Sequence, residues 1–462
     1  LEQRLKGRAE TIRTDEPPAP TGLLVDPSAR HDPIPPRPFL AERLRYATPN
    51  SADYRMLLET RKTGLDLDRY EAAWHELSRV TDALRTRIED GQCVVSPPES
   101  PFRVIRQDAR GLPESGVAAL IDGVRARIEQ MACEANPDPA VVALIQLDGD
   151  EAACFYSFDQ RVIDPASIEF LALRCRRIYE GNYDPKGPFH LADYRRTEDA
   201  WLASVEGQDA RRHWERQIAR TPGRLLASDL FVGPTGETGY GYICGDIARD
   251  TWTGGQRIAR QFGVSELVMT QVVFNELMAH LSGRSRFAYE SRSFQRFPLD
   301  PDIYELLGQF TLGQPAGRFS DDELPFVERV RAEQDRADRS AAFAFFDAAS
   351  LWQADDDRGG KIVYSNTCNR FEEFVLAGNV PPLRWFGDYL GIELKAPDTA
   401  LEYVLVENAG VLENHWFISR SHLSQSWAET AHKLLRTTLE ALCDQPDLWQ
   451  ATDLFADRKV AS

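Results

Sequence analysis

Stretches with helical spacing of apolar residues alternate along the chain with short, continuously apolar runs. Between residues 66 and 90 the apolar side chains recur every three or four positions, which predicts an amphipathic helix. The same spacing predicts further helices at 117–131, 168–178, 200–218, 254–262, 266–281, 325–338 and 425–443. Short apolar runs predict strands at 141–146, 153–158, 240–246, 286–291, 361–365, 401–406 and 414–420. Because helices and strands mix without strict β-α-β alternation, the pattern indicates an α+β fold in two lobes.

The first 36 residues differ from the rest of the chain, because proline is frequent among them and their apolar positions follow no period. We interpret 1–36 as a linker or surface lead-in, 37–205 as an N-terminal lobe and 206–462 as a C-terminal lobe. The chain begins at Leu1, which is expected either of a segment of a longer polypeptide or of a trimmed N-terminus.

Composition excludes several classes of protein but does not identify the function. The 462-residue chain is 42% hydrophobic and 27% charged, as is usual for a large globular protein. A net charge of −18 argues against a nucleic-acid partner, and the apolar runs are too short to cross a membrane. The seven cysteines show no C-x-x-C spacing, which favours reduced thiols in a cytoplasmic protein and predicts no metal site. Phosphate-loop, zinc-protease, serine-hydrolase and dinucleotide-binding motifs are missing, so we expect the domain itself to bind no cofactor.

The most informative stretch is S-F-D-Q-R-V-I-D-P-A-S at 157–167, between a predicted strand and a predicted helix. It contains the pattern D-x-x-x-x-D-x-x-S, formed by Asp159, Asp164 and Ser167. Taken alone, Asp164 followed by Pro165 is also a common helix start, with the aspartate as N-cap. The pattern resembles the signature of heterocyclization domains of nonribosomal peptide synthetases, where it replaces the H-H-x-x-x-D-G motif of ordinary condensation domains.

Further pieces of the chain resemble the same family and follow one another in the family's order, from about residue 25 to residue 445. The segment 294–296, F-Q-R, resembles its phenylalanine-asparagine-arginine turn, and 308–311, G-Q-F-T, resembles its G-D-F-T motif. The segments 362–365, I-V-Y-S, and 396–402, A-P-D-T-A-L-E, resemble its V-V-F-T-S strand and its T-P-Q-V-x-L-D segment. The ordered set carries more weight than any single match.

The resemblance implies a chloramphenicol-acetyltransferase-like fold, in which two lobes form a V around a central tunnel. An upstream donor carrier protein and a downstream acceptor carrier protein would present substrates on phosphopantetheine arms, next to an adenylation domain. The domain would join an acyl or peptidyl donor to the amine of a Cys, Ser or Thr acceptor. It would then cyclise the acceptor side chain and expel water, giving a thiazoline or oxazoline.

The resemblance also assigns roles to six residues. Ser365 and Glu402 match the threonine and aspartate that the family favours for cyclodehydration, and are the predicted catalytic pair. The alternative from the residues alone is a strand-end serine and a solvated strand carboxylate. A structural role is predicted for the other four, Asp159, Asp164, Ser167 and Arg296. Asp164 and Arg296 are expected to lie within salt-bridge distance across the lobes. Ser167, in the first helical turn, could instead cap its own helix.

Two other function classes remain open at this point. Condensation-like domains with degenerate motifs can be silent scaffolds that recruit a tailoring enzyme to carrier-bound substrates. Some other acyltransferase of the same fold is the third possibility. Gln295 and Gln309 stand where the family has an asparagine and an aspartate, so the resemblance supports the architecture more strongly than the activity.

Overall fold

The computed structural model describes residues 22–185, 189–230, 236–300, 302–320, 323–352, 360–366, 389–408 and 410–456. Helices and strands mix along the chain as the sequence predicts. The helices are α1 (Pro38–Tyr46), α2 (Leu67–Arg79), α3 (Glu114–Ala132), α4 (Pro165–Glu180), α5 (Leu191–Ala203), α6 (Val205–Ile218), α7 (Arg249–Gln261), α8 (Glu266–Ser282), α9 (Phe326–Ala341) and α10 (Gln425–Asp444). Within the described ranges, no helix is long and apolar enough to span a membrane.

The strands form two large sheets and a small hairpin. They are β1 (Arg55–Thr63), β2 (Thr86–Glu89), β3 (Gln92–Val95), β4 (Val104–Asp108), β5 (Ala140–Gln146), β6 (Glu151–Asp159), β7 (Tyr240–Ile247), β8 (Phe287–Phe294), β9 (Thr311–Arg318), β10 (Lys361–Asn366), β11 (Tyr389–Leu394), β12 (Thr399–Asn408) and β13 (Val411–Ser419). The first sheet has the order β11-β1-β6-β5-β4, and the second β7-β13-β12-β10-β8-β9. Strand β11 therefore comes from the second half of the chain but pairs with β1 in the first sheet.

The first sheet is buried on both faces. Val142 and Leu144 of β5 pack with α2 and α4 on one face, whereas Val141 and Ile145 pack with α3 on the other. Burial on both faces explains why 141–145 is continuously apolar and does not alternate. Residues 24–30 lie along α5, where the Leu24 amide donates to Thr197 Oγ1 at 2.8 Å, and Ile34 pairs with Cys93 of β3. The lobe boundary at 205/206 stays a prediction.

The second sheet packs α7, α8 and α10 against one face only. Alternate residues of its strands contribute to that core, including Tyr364, Tyr403 and Trp416. The residues between them point to the opposite side, which we call the inner face. Lys361 and Phe417 on this face contact α1 and the first sheet respectively. The inner face therefore looks toward the N-terminal part of the chain.

Two predicted helices are wrong in their extent. The helix predicted for 66–90 ends at Arg79, and β2 and β3 follow as a hairpin turned at Asp90-Gly91, both with positive φ. Asp-Gly between short strands is a strong hairpin signal, and it outweighs the helical spacing of the apolar residues before it. The helix predicted for 200–218 is two helices, α5 and α6. Ser204 separates them because its hydroxyl caps α6 by accepting from the Gly207 amide at 3.2 Å.

Candidate functional site

The motif at 159–167 lies in the turn between β6 and α4. Asp164 is completely buried and is the N-cap of α4, where its Oδ1 accepts from the Ser167 amide at 2.6 Å. Its other oxygen accepts from the Phe310 amide at 2.9 Å. The carboxylate thus serves two backbone donors, one in its own helix and one 146 positions away. Asp164 therefore starts its own helix and also contacts a distant segment of the chain.

Arg296 completes this junction. Its Nη2 lies 3.9 Å from Asp164 Oδ2, the predicted ion pair, and donates to Ser167 Oγ at 2.8 Å. Ser167 Oγ also donates to the Gly308 carbonyl at 2.9 Å and accepts from the Gly308 amide at 3.0 Å. The alternative that Ser167 caps its own helix is wrong, because Asp164 already fills that position. The three side chains instead connect the motif to segment 306–310 through hydrogen bonds.

Asp159 lies apart from this junction. Its carboxylate makes a bidentate contact with the Arg161 guanidinium, with Nη2 to Oδ2 at 2.6 Å. Burial opposes ionisation of Asp159, but the charge and hydrogen bonds of Arg161 outweigh it and lower the pKa of the carboxyl. The structure thus places Asp159 in a local ion pair next to the motif, not in the Asp164–Arg296 contact.

Ser365 and Glu402 lie on neighbouring parallel strands, β10 and β12. In the register, Val363 is opposite Glu402 and Ser365 is opposite Val404, so both side chains point to the inner face. Ser365 is completely buried, and its hydroxyl has no hydrogen-bond partner among the described residues. The sheet therefore brings the predicted pair together on one face, with the serine hydroxyl not used by the fold around it.

Arg292 of β8, which sequence reasoning missed, connects these strands. It lies opposite Ser365 in the register and contacts Glu402 Oε2 through Nη1 at 3.2 Å. Its Nε contacts Glu290 Oε1 at 2.6 Å. One guanidinium therefore balances two buried carboxylates next to the serine. Its position in the sequence, two residues before Phe294 of the F-Q-R segment, could have pointed to Arg292.

A second charged cluster joins α1 to the same sheet. Lys361 Nζ contacts Glu42 Oε1 at 2.5 Å and Asp398 Oδ2 at 3.2 Å, and Tyr54 donates to Asp398 Oδ1 at 2.9 Å. Burial raises the pKa of Glu42, whereas for Asp398 the opposing charge of Lys361 outweighs burial and lowers the pKa. The sequence analysis missed this cluster, since Glu42 and Tyr54 lie more than 300 positions before Lys361 and Asp398.

The inner face can therefore support acid–base chemistry. A free hydroxyl can donate or accept one hydrogen bond, and a carboxylate held by a guanidinium can take a proton when a substrate N–H approaches. Among the described residues, no group of three or more His, Cys, Asp or Glu side chains has the geometry of a metal site.

No protein-family model matches the chain. Among curated proteins, it is 22% identical over 397 residues to pyochelin synthetase PchF of Pseudomonas aeruginosa (strain UCBPP-PA14), an alignment that covers 84% of this chain and 22% of that protein. It is 21% identical over 258 residues to bacitracin synthase 1 of Bacillus licheniformis, covering 54% of this chain and 5% of that protein. The chain thus spans about a fifth or less of the length of these relatives.

Solved structures match over nearly the whole chain. The cyclization-docking bidomain of the EpoB nonribosomal peptide synthetase from Sorangium cellulosum aligns with a TM-score of 0.79 and 18% identity, covering 96% of this chain and 90% of that one. The condensation domain of monacolin K polyketide synthase MokA aligns with a TM-score of 0.69 and 14% identity, covering 92% and 99%. The two-lobed, chloramphenicol-acetyltransferase-like fold expected from the sequence is confirmed. The chain therefore has the fold of the condensation-domain superfamily of nonribosomal peptide synthetases, and within it resembles the cyclization domains.

Proposed function

We propose that the chain is a heterocyclization-type condensation domain of a nonribosomal peptide synthetase. It joins a carrier-bound acyl or peptidyl donor to the amine of a carrier-bound Cys, Ser or Thr, and then cyclodehydrates the product to a thiazoline or oxazoline. The observation that supports this most is the pairing of Ser365 and Glu402 on the inner face, with an unused hydroxyl beside a carboxylate. The sequence similarity to pyochelin synthetase supports it independently.

The chemistry divides into two parts with different needs. Amide formation needs only that the attacking amine lose a proton, which solvent or substrate groups can accept. Ring closure and loss of water need a group that takes the ring N–H proton while the hydroxyl leaves. Glu402 fits this second part, and Ser365 fits a hydrogen bond to the oxygen that was the amide carbonyl.

Substrates would arrive on the phosphopantetheine arms of an upstream donor and a downstream acceptor carrier protein, with an adenylation domain loading the acceptor. The domain itself then needs no cofactor, because the thioester of the donor already carries the energy for amide formation.

Glu402→Gln separates the two parts, since it removes the charge and keeps the shape. We expect the parent, incubated with loaded donor and acceptor carrier proteins, to form a product on the acceptor carrier that is lighter by one water than the linear amide. The variant is expected to form the linear amide on the acceptor carrier and to lose the lighter product, as measured by mass spectrometry of the carrier protein. Glu407→Gln is the matched control, because Glu407 lies on the same strand but faces α7 and accepts from Trp252 Nε1 at 3.1 Å.

Three outcomes contradict parts of the proposal. Loss of both products in Glu402→Gln would show that the role of Glu402 is not limited to cyclodehydration. If the parent yields only the linear amide with every acceptor, the domain catalyses condensation but not cyclodehydration. A parent that yields neither product, but binds a tailoring enzyme, would favour the scaffold function.

A further inference from the structure

Glu290 is a buried carboxylate of the inner face that lies outside the Ser365–Glu402 pair. It belongs to β8, and its Oε1 contacts Arg292 Nε at 2.6 Å. Both side chains are only 3% exposed, so solvent does little to stabilise their charges. Glu290 Oε2 is buried and has no hydrogen-bond partner among the described residues. In this part of the fold, Arg292 is therefore the group that binds the Glu290 carboxylate.

The strand register keeps Glu290 and Glu402 apart. Val363 of β10 lies opposite both residues, so Glu290, Val363 and Glu402 form one row across three strands. Because neighbouring strands are about 4.8 Å apart, the two glutamates start about 10 Å from each other. The valine between them offers no polar group. The two carboxylates are therefore linked through Arg292, which contacts Glu402 Oε2 through Nη1 at 3.2 Å.

Both members of the Glu290–Arg292 pair are charged. Burial opposes the ionisation of Glu290, but the charges of Arg292 and Lys361 outweigh it and lower the pKa of the carboxyl. Burial also opposes the charge of Arg292, but Glu290 and Glu402 outweigh it and raise the pKa of the guanidinium. Glu290 and Arg292 thus form a balanced ion pair, and Glu402 adds a further carboxylate to it. The other described charged groups around the pair are two cations and two carboxylates, Arg43, Lys361, Glu42 and Asp398.

This balance is important because a general base changes its charge when it takes a proton. Glu402 Oε2 contacts Arg292, whereas Oε1 accepts from no described side chain and is left for the ring N–H of the substrate. When Oε1 takes that proton, Glu402 becomes neutral and Arg292 loses one of its two partners. A buried guanidinium without a counter-charge is strongly unfavourable. With Glu290 in place, Arg292 keeps a counter-charge in both states of Glu402.

We propose that Glu290 is a positioning residue that balances the charge of Arg292, so that Glu402 can take a proton and return it during cyclodehydration. This assignment rests on the proposed function. Glu290 does not touch substrate. It acts through Arg292, which in turn holds the Glu402 carboxylate on the inner face.

The proton transfer needs no further reactant. The ring N–H proton moves to Glu402 Oε1, and the electron pair of the N–H bond forms the C=N bond. The C–O bond breaks, and the proton passes from Glu402 to the leaving oxygen, which departs as water. Glu402 is therefore charged before and after the step and neutral within it, and nothing is oxidised or reduced.

Two substitutions of Glu290 separate charge from shape. Glu290→Gln keeps the shape and removes the charge, whereas Glu290→Asp keeps the charge on a shorter side chain. With loaded donor and acceptor carrier proteins, we expect the ratio of lighter product to linear amide to fall about tenfold in Glu290→Gln, a part of the roughly 10²–10⁴-fold that a general base contributes. Glu290→Asp is expected to stay closer to the parent, as measured by mass spectrometry of the acceptor carrier protein.

Glu276→Gln is the matched control for the loss of a buried glutamate. The Glu276 side chain is 7% exposed and contacts Arg329 at 3.1 Å, but it lies on α8, which packs against the other face of the second sheet. The control is expected to keep the product ratio of the parent.

Urea unfolding followed by tryptophan fluorescence gives a readout that needs no substrate. Because Arg292 keeps Glu290 when Glu402 is neutral, we expect Glu402→Gln to unfold at the same urea concentration as the parent. Glu290→Gln is expected to unfold at a lower concentration, because it leaves Arg292 with the more distant carboxylate, at 3.2 Å compared with 2.6 Å. Equal losses of stability in the two variants would overturn the assignment.

The outcomes distinguish this role of Glu290 from the proposed function. If the parent cyclises and Glu290→Gln keeps its product ratio, the role is refuted while the proposed function stands. A Glu290→Gln variant that keeps more of the lighter product than Glu290→Asp would show that shape and not charge is required, which also refutes the role. If Glu290→Gln does not fold, the product ratio of Glu290→Asp and the unfolding of Glu402→Gln decide the matter. If the parent gives no lighter product with Cys, Ser or Thr acceptors, the proposed function and the role of Glu290 in it fail together.

Discussion

Asp164→Asn tests whether Asp164 stabilises the fold or takes part in catalysis. The side chain is fully buried and accepts from two backbone amides, Ser167 and Phe310, while facing the Arg296 guanidinium. Asparagine keeps one acceptor oxygen, so it can serve one of the two amides but not both. Its NH2 group adds donors beside a cation that has just lost its counter-charge.

The expected loss follows from these contacts. A buried amide left without an acceptor costs about 1–3 kcal/mol. Breaking a buried ion pair by removing one partner costs about 3–5 kcal/mol, and this value already includes part of the first. We therefore expect the free energy of unfolding to fall by about 3–5 kcal/mol in Asp164→Asn.

Urea unfolding followed by tryptophan fluorescence measures this loss, because the chain has nine tryptophans. Asp68→Asn is the control: Asp68 pairs with Arg106 at 3.2 Å, but its side chain is 94% exposed. The control is expected to change stability by less than about 0.5 kcal/mol. An Asp164→Asn variant that unfolds like the parent, yet forms no product, would make Asp164 catalytic and refute the structural role.

Two further predictions concern stability away from the motif. Burial raises the pKa of Asp347 to about 7, above its value in the unfolded chain, so stability falls as pH rises between the two pKa values. Asp347→Asn is therefore expected to melt at a higher temperature than the parent at pH 8, with a smaller gain at pH 5. An equal gain at both pH values would contradict this. A Cβ at Gly207 would lie 2.8 Å from Leu202 Cα, so Gly207→Ala is expected to lower the melting temperature, whereas Gly123→Ala, with open space in the middle of α3, is expected to raise it slightly.

Local patterns were sufficient for much of the fold. The second strand of the predicted 141–158 hairpin and the C-terminal helix appear within one or two residues of their predicted ends, because burial on one or both faces leaves a clear period in the sequence. Strands β1 and β9 and helix α1 were not predicted. Charged residues such as Arg55, Arg61 and Lys62 interrupt the apolar pattern of β1, and the strand is set by its pairing with β6 and β11.

The site was less accessible to sequence reasoning, because it depends on register. That Asp164 starts a helix follows from Asp-Pro alone. That Ser167 binds both backbone groups of Gly308, or that Arg292 is opposite Ser365 and contacts Glu402, depends on pairings between segments more than 70 positions apart.

The departures from the family pattern make physical sense in this structure. The Gln309 amide accepts from the Thr311 amide at 2.8 Å and donates to the Gln160 carbonyl at 2.5 Å, next to the motif. A carboxylate at this position could accept the first bond but could not donate the second, so glutamine suits the backbone it meets. The longer side chain of Glu402 likewise ends at Arg292, which holds it at 3.2 Å on the inner face. Each exchange is matched by a contact of the new side chain, and therefore neither is by itself evidence that the domain has lost its activity.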